Sequence, residues 1–297
     1  MPGCVWRLLD HDPADGAWNL AVDEAVAEAV GRGEVPPTLR LYGWERPTVS
    51  LGALQRFPGG VSAGACRQHG VALVRRISGG RAVLHAAELT YSVAVPRAGD
   101  WRRPVAELFE RLCGGLVAGL ARLGIQAAVG EGAPARSGPP DGACFLLRQT
   151  PAIVVGGRKL VGSAQYRSDR AVLQQGSLLL DFDPALHLDL FPGWPRRDPA
   201  EGIASLRLLL GRTPPRAELT AALREGWQGC FGPVRPGGKL TAREVERAGD
   251  LVRARYGTAS WTRQRLVTAG EEDPGALCDA GERRTRPNVL DTPQGVC

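Results

Sequence analysis

The chain has 297 residues, 43% of them hydrophobic, and a formal net charge of +6. That much apolar material can bury a full core, as one large or two small domains. No run of eighteen apolar residues marks a membrane span, and residues 1–30 carry Asp10, Asp12, Asp15 and Asp23 where an export leader would be basic and then apolar, so a cytoplasmic, non-membrane protein is expected.

The chain opens with a predicted strand at 5–10, a polar loop ending near Asp15, and a helix from about 17 to 30 whose apolar side is Leu20, Ala21, Ala25, Val26 and Ala29. Strands at 38–44 and 48–54, separated by Glu45-Arg46-Pro47, are expected to pair as a hairpin. After a short helix at 62–69, a strand at 72–77 runs into Ser78-Gly79-Gly80 and out through 81–85, and the alternating run 89–95 is expected to complete that sheet. Pro104 suits the first turn of the longest helix, which carries Val105, Leu108, Phe109, Leu112, Leu116, Leu120 and Leu123.

A strand is expected at 125–129. Residues 130–143, rich in Gly, Pro and Ala, then form a loop that delivers Cys144. Two apolar runs, 153–155 and 159–161, flank Gly156-Gly157, which suits a tight hairpin turn. Strict alternation there sends Lys159, Val161 and Ser163 to one face and Arg158, Leu160 and Gly162 to the other. Helices follow at 184–190, 201–210, 216–230 and 241–256, the last opened by a Thr241/Glu244 capping box. The division expected is a catalytic domain over 1–263, helical over about 184–262, and a disordered tail over 264–297.

Residue usage singles out candidates for chemistry. Lys159 and Lys239 are the only lysines, every other basic side chain being arginine. A lysine kept in so arginine-biased a chain is one whose compact, tunable ammonium a guanidinium cannot replace. Seven cysteines, at 4, 66, 113, 144, 230, 278 and 297, form no CxxC pair and suit neither a disulfide framework nor a zinc site. No arginine run interleaved with aromatics points to nucleic acid. Gly79-Gly80 matches neither common phosphate-loop pattern and by itself suits an ordinary turn. Arg75 and Arg76 alternate, so one at most faces a cavity and the other is a surface charge. A lone histidine such as His85 is ordinarily a satisfied structural residue.

Several segments in order resemble one family: Trp6-Arg7-Leu8; Asn19-Leu20-Ala21-Val22-Asp23-Glu24; Arg75-Arg76, then Gly79-Gly80-Arg81-Ala82-Val83 and His85; Gly157 through Gln165; and Gln174, Gly176 and Ser177. Together they are similar to the lipoate-protein ligase and octanoyltransferase superfamily, over residues 5–262. The resemblance implies a mixed α+β fold of the biotin/lipoate-ligase type. It is nearest the cysteine-dependent octanoyltransferases, which move an octanoyl group from acyl carrier protein to a lysine of a lipoyl domain, such as glycine-cleavage H protein or a 2-oxoacid dehydrogenase subunit, with no cofactor.

By that resemblance Cys144 is the acyl relay and Lys159 its partner, activating the thiol and donating to the acyl carbonyl. Arg75, Arg76, Gly79, Gly80, His85, Gly162, Ser163, Ala164, Gln165 and Gly176 shape the substrate pocket, and no residue holds a metal. Ser78 stands where relatives usually have threonine, and Gln175 where histidine is common. Gln149 to Ala152 lacks the hydroxyl and acidic groups often found there. An ATP-dependent lipoate-protein ligase, an octanoyl-H-protein amidotransferase and a non-catalytic lipoyl-domain binder remain as alternatives.

Overall fold

The computed structural model describes residues 5–130, 152–193 and 199–265. β1 (Trp6–Asp10), α1 (Gly16–Gly31) and β2 (Thr38–Tyr42) open the chain. Asp15 caps α1 by accepting from Ala17 N. Nearly every residue of α1 is buried, because one side rests on a sheet and the other is covered by C-terminal helices.

β3 (Thr48–Leu51), α2 (Ala63–Gln68), β4 (Ala72–Arg75) and β5 (Val83–His85) follow, and β3, β4 and β5 form a three-stranded sheet in the order β4-β3-β5. Next come β6 (Glu88–Pro96), α3 (Val105–Arg122), β7 (Ala128–Gly130), β8 (Ala152–Val155), β9 (Arg158–Arg167) and β10 (Ala171–Leu179). The C-terminal part is α4 (Pro184–Leu190), α5 (Leu206–Leu210), α6 (Arg216–Phe231), β11 (Val234–Arg235), α7 (Ala242–Leu251) and, after a π-helical turn at Val252–Tyr256, α8 (Ala259–Gln264). The larger sheet has eight strands in the order β11-β1-β2-β6-β10-β9-β8-β7, mixed parallel and antiparallel.

One face of the large sheet packs Leu89, Tyr91, Val93, Val161 and Leu178 against Leu112, Leu116 and Leu120 of α3 and Leu219 and Leu223 of α6. The opposite face packs Ala94, Ala171 and Leu173 against α1, with α7 and α8 outside it. The expected capping box of α7 is present, Thr241 and Glu244 each accepting from the other's backbone N–H, and Glu244 also takes a 2.6 Å ion pair from Arg7.

Two expected connections are corrected. β2 and β3 do not form a hairpin: β2 lies between β1 and β6 in the large sheet, while β3 lies between β4 and β5 in the small one. A turn at Glu45-Arg46-Pro47 reverses the chain in either case, and alternation cannot say whether it closes a hairpin or carries the chain between sheets. Every residue of both strands is buried, as suits central strands of two separate sheets. For the same reason the run after His85 leaves the small sheet, and β6 pairs with β2 and β10.

The third correction is local. On β9, Lys159 faces Val154 and Val161 faces Ile153, so Leu160 is an extra residue, a β-bulge. Leu160 and Val161 therefore both enter the α3 core, and Lys159 is left on the other face. The expected sharing of one face by Lys159 and Val161 fails because strict alternation does not survive a bulge.

Candidate active site

Between α1, the small sheet and the large sheet lies a partly open cavity, about 500 Å³ when the solvent space at its mouth is included. Its floor contains a straight row of cross-strand neighbours, Gly162 on β9, Ser177 on β10, Thr90 on β6 and Tyr42 on β2. Lys159 stands at the β9 end, buried to 5% exposure. Leu20 of α1 and Trp44 close the Tyr42 end, and Ser50, Val83 and His85 of the small sheet form the roof.

The Tyr42 end is fixed by a buried ionic cluster. Asp23 of α1 accepts from Arg40 (2.7 Å), Tyr42 (2.8 Å) and Ser92 (2.6 Å), and Arg40 also reaches Asn19. Burial first, and then the Asp23 carboxylate, push the Tyr42 phenol well above its ordinary pKa, so it stays a neutral donor. The Asn19-to-Glu24 segment is thus the brace that holds one end of the cavity. Lys159 is braced at the other end through its backbone, its carbonyl accepting from Ala204 N at 2.9 Å.

The roof is a hydrogen-bonded chain. Arg76 Nη1 donates to Ser50 Oγ (3.0 Å), Ser50 Oγ meets His85 Nε2 (2.8 Å), and His85 Nδ1 meets Glu88 Oε1 (2.8 Å). Glu88 Oε1 also accepts from Ser177 Oγ (2.9 Å) and Trp44 Nε1 (3.2 Å). Trp44 stacks on the imidazole, centroids 4.1 Å apart and 14° from parallel.

Of the residues singled out from sequence, the fold brings Lys159, Arg76, His85, Gly162, Ser163, Ala164 and Gly176 to the cavity wall. Cys144 lies outside the described residues. Arg75 is neither in the cavity nor on the surface: it is fully buried, its guanidinium donating to the carbonyls of Gly52 (2.6 Å), Gln55 (2.7 Å), Thr262 (3.0 Å) and Trp261 (3.1 Å). The alternation that separates it from Arg76 turns it into the loop and α8 instead of into water. Burial, ahead of repulsion from Arg265 and Arg76, lowers its pKa to about 10.

Gly79 and Gly80 serve the wall from behind. The Gly79 carbonyl accepts from Arg76 Nη2 at 2.8 Å, and the Gly80 carbonyl presses against Gly52. Gln165 points into the α3 core, where its amide donates to Gln174 Oε1 at 2.7 Å. Ser163 receives the Tyr91 hydroxyl at 2.7 Å, in the space left by Gly176: a Cβ on that glycine would lie 2.6 Å from Ser163 Oγ and 2.7 Å from the Tyr91 ring.

Ser50, Trp44, Glu88 and Thr90 were not singled out from sequence, and Ser177 only as a residue of the family resemblance, without a role. A usable signal was present: Glu88, Thr90 and Ser92 alternate with Leu89, Tyr91 and Val93 in a strand whose residues 88–95 are all buried. A polar face that stays buried must meet partners.

The described cysteines offer no activated thiol. Cys66, Cys113 and Cys230 all have raised pKa values with burial as the main cause, Cys113 to about 12. Among the described residues no group of three His, Cys, Asp or Glu side chains could hold a metal, and no helix is long and apolar enough to cross a membrane.

The buried lysine at one end of the cavity, set between a mixed sheet and a small second sheet, sits in an α+β architecture shared with lipoate-protein ligases. The chain belongs to the family of the lipoyl protein ligase A/B catalytic domain, whose model matches residues 15–228. It is 43% identical over 268 residues to octanoyltransferase LipM of Symbiobacterium thermophilum, covering 86% of this chain and 97% of that protein. It is also 43% identical over 269 residues to octanoyltransferase LipM of Kyrpidia tusciae, covering 86% and 98%.

Among solved structures, lipoate-protein ligase A bound with ATP superposes with a TM-score of 0.74 at 23% identity, covering 90% of this chain and all of that one. The bipartite lipoate protein ligase of Thermoplasma acidophilum gives 0.70 at 22% identity, covering 91% and all of that chain. At those identities the likeness speaks for the fold.

Proposed function

We propose that this chain is an octanoyltransferase of lipoate biosynthesis, taking octanoyl from acyl carrier protein onto Cys144 as a thioester and passing it to a lysine of a lipoyl domain. The relatives that match nearly end to end carry the name octanoyltransferase. The observation that carries the reading is Lys159, an ammonium buried at one end of the cavity with apolar Leu20 and Trp44 at the other.

The row from Gly162 to Tyr42 crosses three interstrand spacings, about 14 Å. An extended eight-carbon chain, roughly 9 Å from bonds of about 1.5 Å, fits within it with room for a carbonyl beside Lys159. Lys159 then has two tasks, drawing the thiol toward thiolate and donating to the carbonyl oxygen as charge develops there. Acyl exchange between thioester and amine is easiest through a second thioester, so a cysteine relay suits both half-reactions.

Incubation of the purified chain with octanoyl-acyl carrier protein, without ATP, tests this. The expected result is a mass increase of one octanoyl group, lost in Cys144→Ala, followed by transfer to a lipoyl domain such as H protein. Transfer that requires octanoate and ATP would replace the reading by a ligase. Loading only from octanoyl-H protein would make the chain an amidotransferase, and binding without any transfer would make it a lipoyl-domain binder.

A further inference from the structure

The roof of the cavity carries a proton path that the thiol and Lys159 do not require. Arg76 stays protonated, so its contact with Ser50 Oγ can only be a donation. His85 Nδ1 faces a carboxylate oxygen, which accepts, so in the neutral ring the proton sits on Nδ1, Nε2 is the acceptor and the Ser50 hydroxyl donates to it. Trp44 stacks on the ring face, so the imidazole is held on both nitrogens and one face. Glu88 is in turn held by Ser177 and Thr90, both on the cavity floor.

We propose that Ser50 and His85, positioned by Glu88, form the relay that takes a proton from the acceptor amine as it attacks the octanoyl thioester. The inference rests on the transfer reading above. In the step, the amine nitrogen forms the C–N bond, the C–S bond breaks and the sulfur leaves as thiolate. The nitrogen's proton goes to Ser50 Oγ while the Ser50 proton goes to His85 Nε2, and the imidazolium so formed faces the Glu88 carboxylate. Atoms and charge balance without a co-reactant.

Arg76 argues against Ser50 as an acyl-carrying nucleophile, because a guanidinium donating to Oγ draws off the lone pair that would attack. The charged groups around the relay are Arg76 beside Ser50, Glu88 beside His85, and Lys159 in the same cavity wall.

The test separates loading from transfer. The full-length protein is loaded with octanoyl from acyl carrier protein and followed by intact mass, then mixed with a lipoyl domain. In Glu88→Gln and Ser50→Ala, octanoyl loading is expected to fall far less than transfer, because loading takes no proton from an amine. Their transfer falls about 10²-fold and recovers partly as pH is raised. Equal losses in both half-reactions, undiminished transfer in both variants, or an octanoyl group found on Ser50 would overturn the relay.

The ring's protonation is read independently from ¹⁵N spectra of the unloaded protein, with His85→Asn assigning its signals. Nδ1–H in wild type is expected whether or not transfer occurs. Nε2–H in wild type would sink the relay. Absence of any octanoyl adduct in wild type would sink the transfer reading, and the relay with it.

Discussion

Arg75 and Trp261 hold each other reciprocally: Arg75 Nε donates to the Trp261 carbonyl at 3.1 Å, and Trp261 Nε1 donates back to the Arg75 carbonyl at 2.9 Å. One guanidinium thereby ties α8 to the 52–55 loop, although 186 residues separate the partners. Arg75→Ala leaves several buried carbonyls without donors, an expected loss of about 3–5 kcal/mol. Arg75→Lys recovers only part of it, because an ammonium cannot span the same fork of carbonyls. Urea denaturation of both variants measures the two losses, and KM for the acyl donor in the surviving folded fraction is expected to stay near wild type.

Lys159 occupies its place through the bulge at Leu160, which frees it from the hydrophobic face. Lys159→Arg is expected to preserve the fold, since the backbone contact to Ala204 remains, yet to lower octanoyl loading by about 10² or more, because a planar guanidinium neither fits nor donates as an ammonium does. Circular dichroism together with intact-mass loading rates checks both halves. Undiminished loading would make the lysine a bystander.

Much of this was legible in the sequence for physical reasons. The Gly156-Gly157 turn, both with φ above +50°, carries its own backbone signature, and the amphipathic period of α3 and the Thr241/Glu244 box are local patterns. Lys159 stood out through residue usage and family resemblance, and His85 through the resemblance alone. What the sequence hid is non-local. Nothing near Arg75 announces that α8 waits to cover it, and nothing near β3 says that its partners are β4 and β5 and not β2. The roles of Glu88 and Ser50 depend on two sheets meeting, which no spacing within either strand records.

Acid sensitivity follows from two histidines. Burial lowers His187 to about 4, and burial with the neighbouring Arg40 guanidinium lowers His11 to about 4. Both lie below the ordinary 6.5, so between those values the unfolded chain binds more protons than the folded one. Stability is therefore full above about pH 6.5 and falls as the pH drops toward 4. For His187 the limit is about 3 kcal/mol, and for half-buried His11 distinctly less. His187→Gln is expected to flatten the fall between pH 6.5 and 4, read as urea midpoints at half-unit pH steps. An unchanged pH dependence would show that the ring charges without cost.

Gly52 tests how tightly the glycine loop is set. A Cβ there would stand 1.8 Å from the Gly80 carbonyl oxygen and 2.7 Å from its carbon, and the obstacle is backbone, which no rotamer change removes. The two segments are also laced together, Ala53 N to Ser78 O at 2.9 Å and Arg76 N to Leu51 O at 3.0 Å, so they cannot simply separate. Gly52→Ala is expected to cost about 2–4 kcal/mol. Because Arg76 holds Gly79 and Ser50 together, the displaced loop should also disturb the cavity roof and raise KM for the acyl donor. Gly70→Ala is the control: its φ of +65° makes an added side chain strained, but nothing lies within 4 Å of its Cβ. A loss of only about 1 kcal/mol and an unaltered KM are expected there. Equal effects at the two positions would mean that the contact with Gly80 costs no more than a strained backbone angle, since Gly52 itself has no left-handed φ.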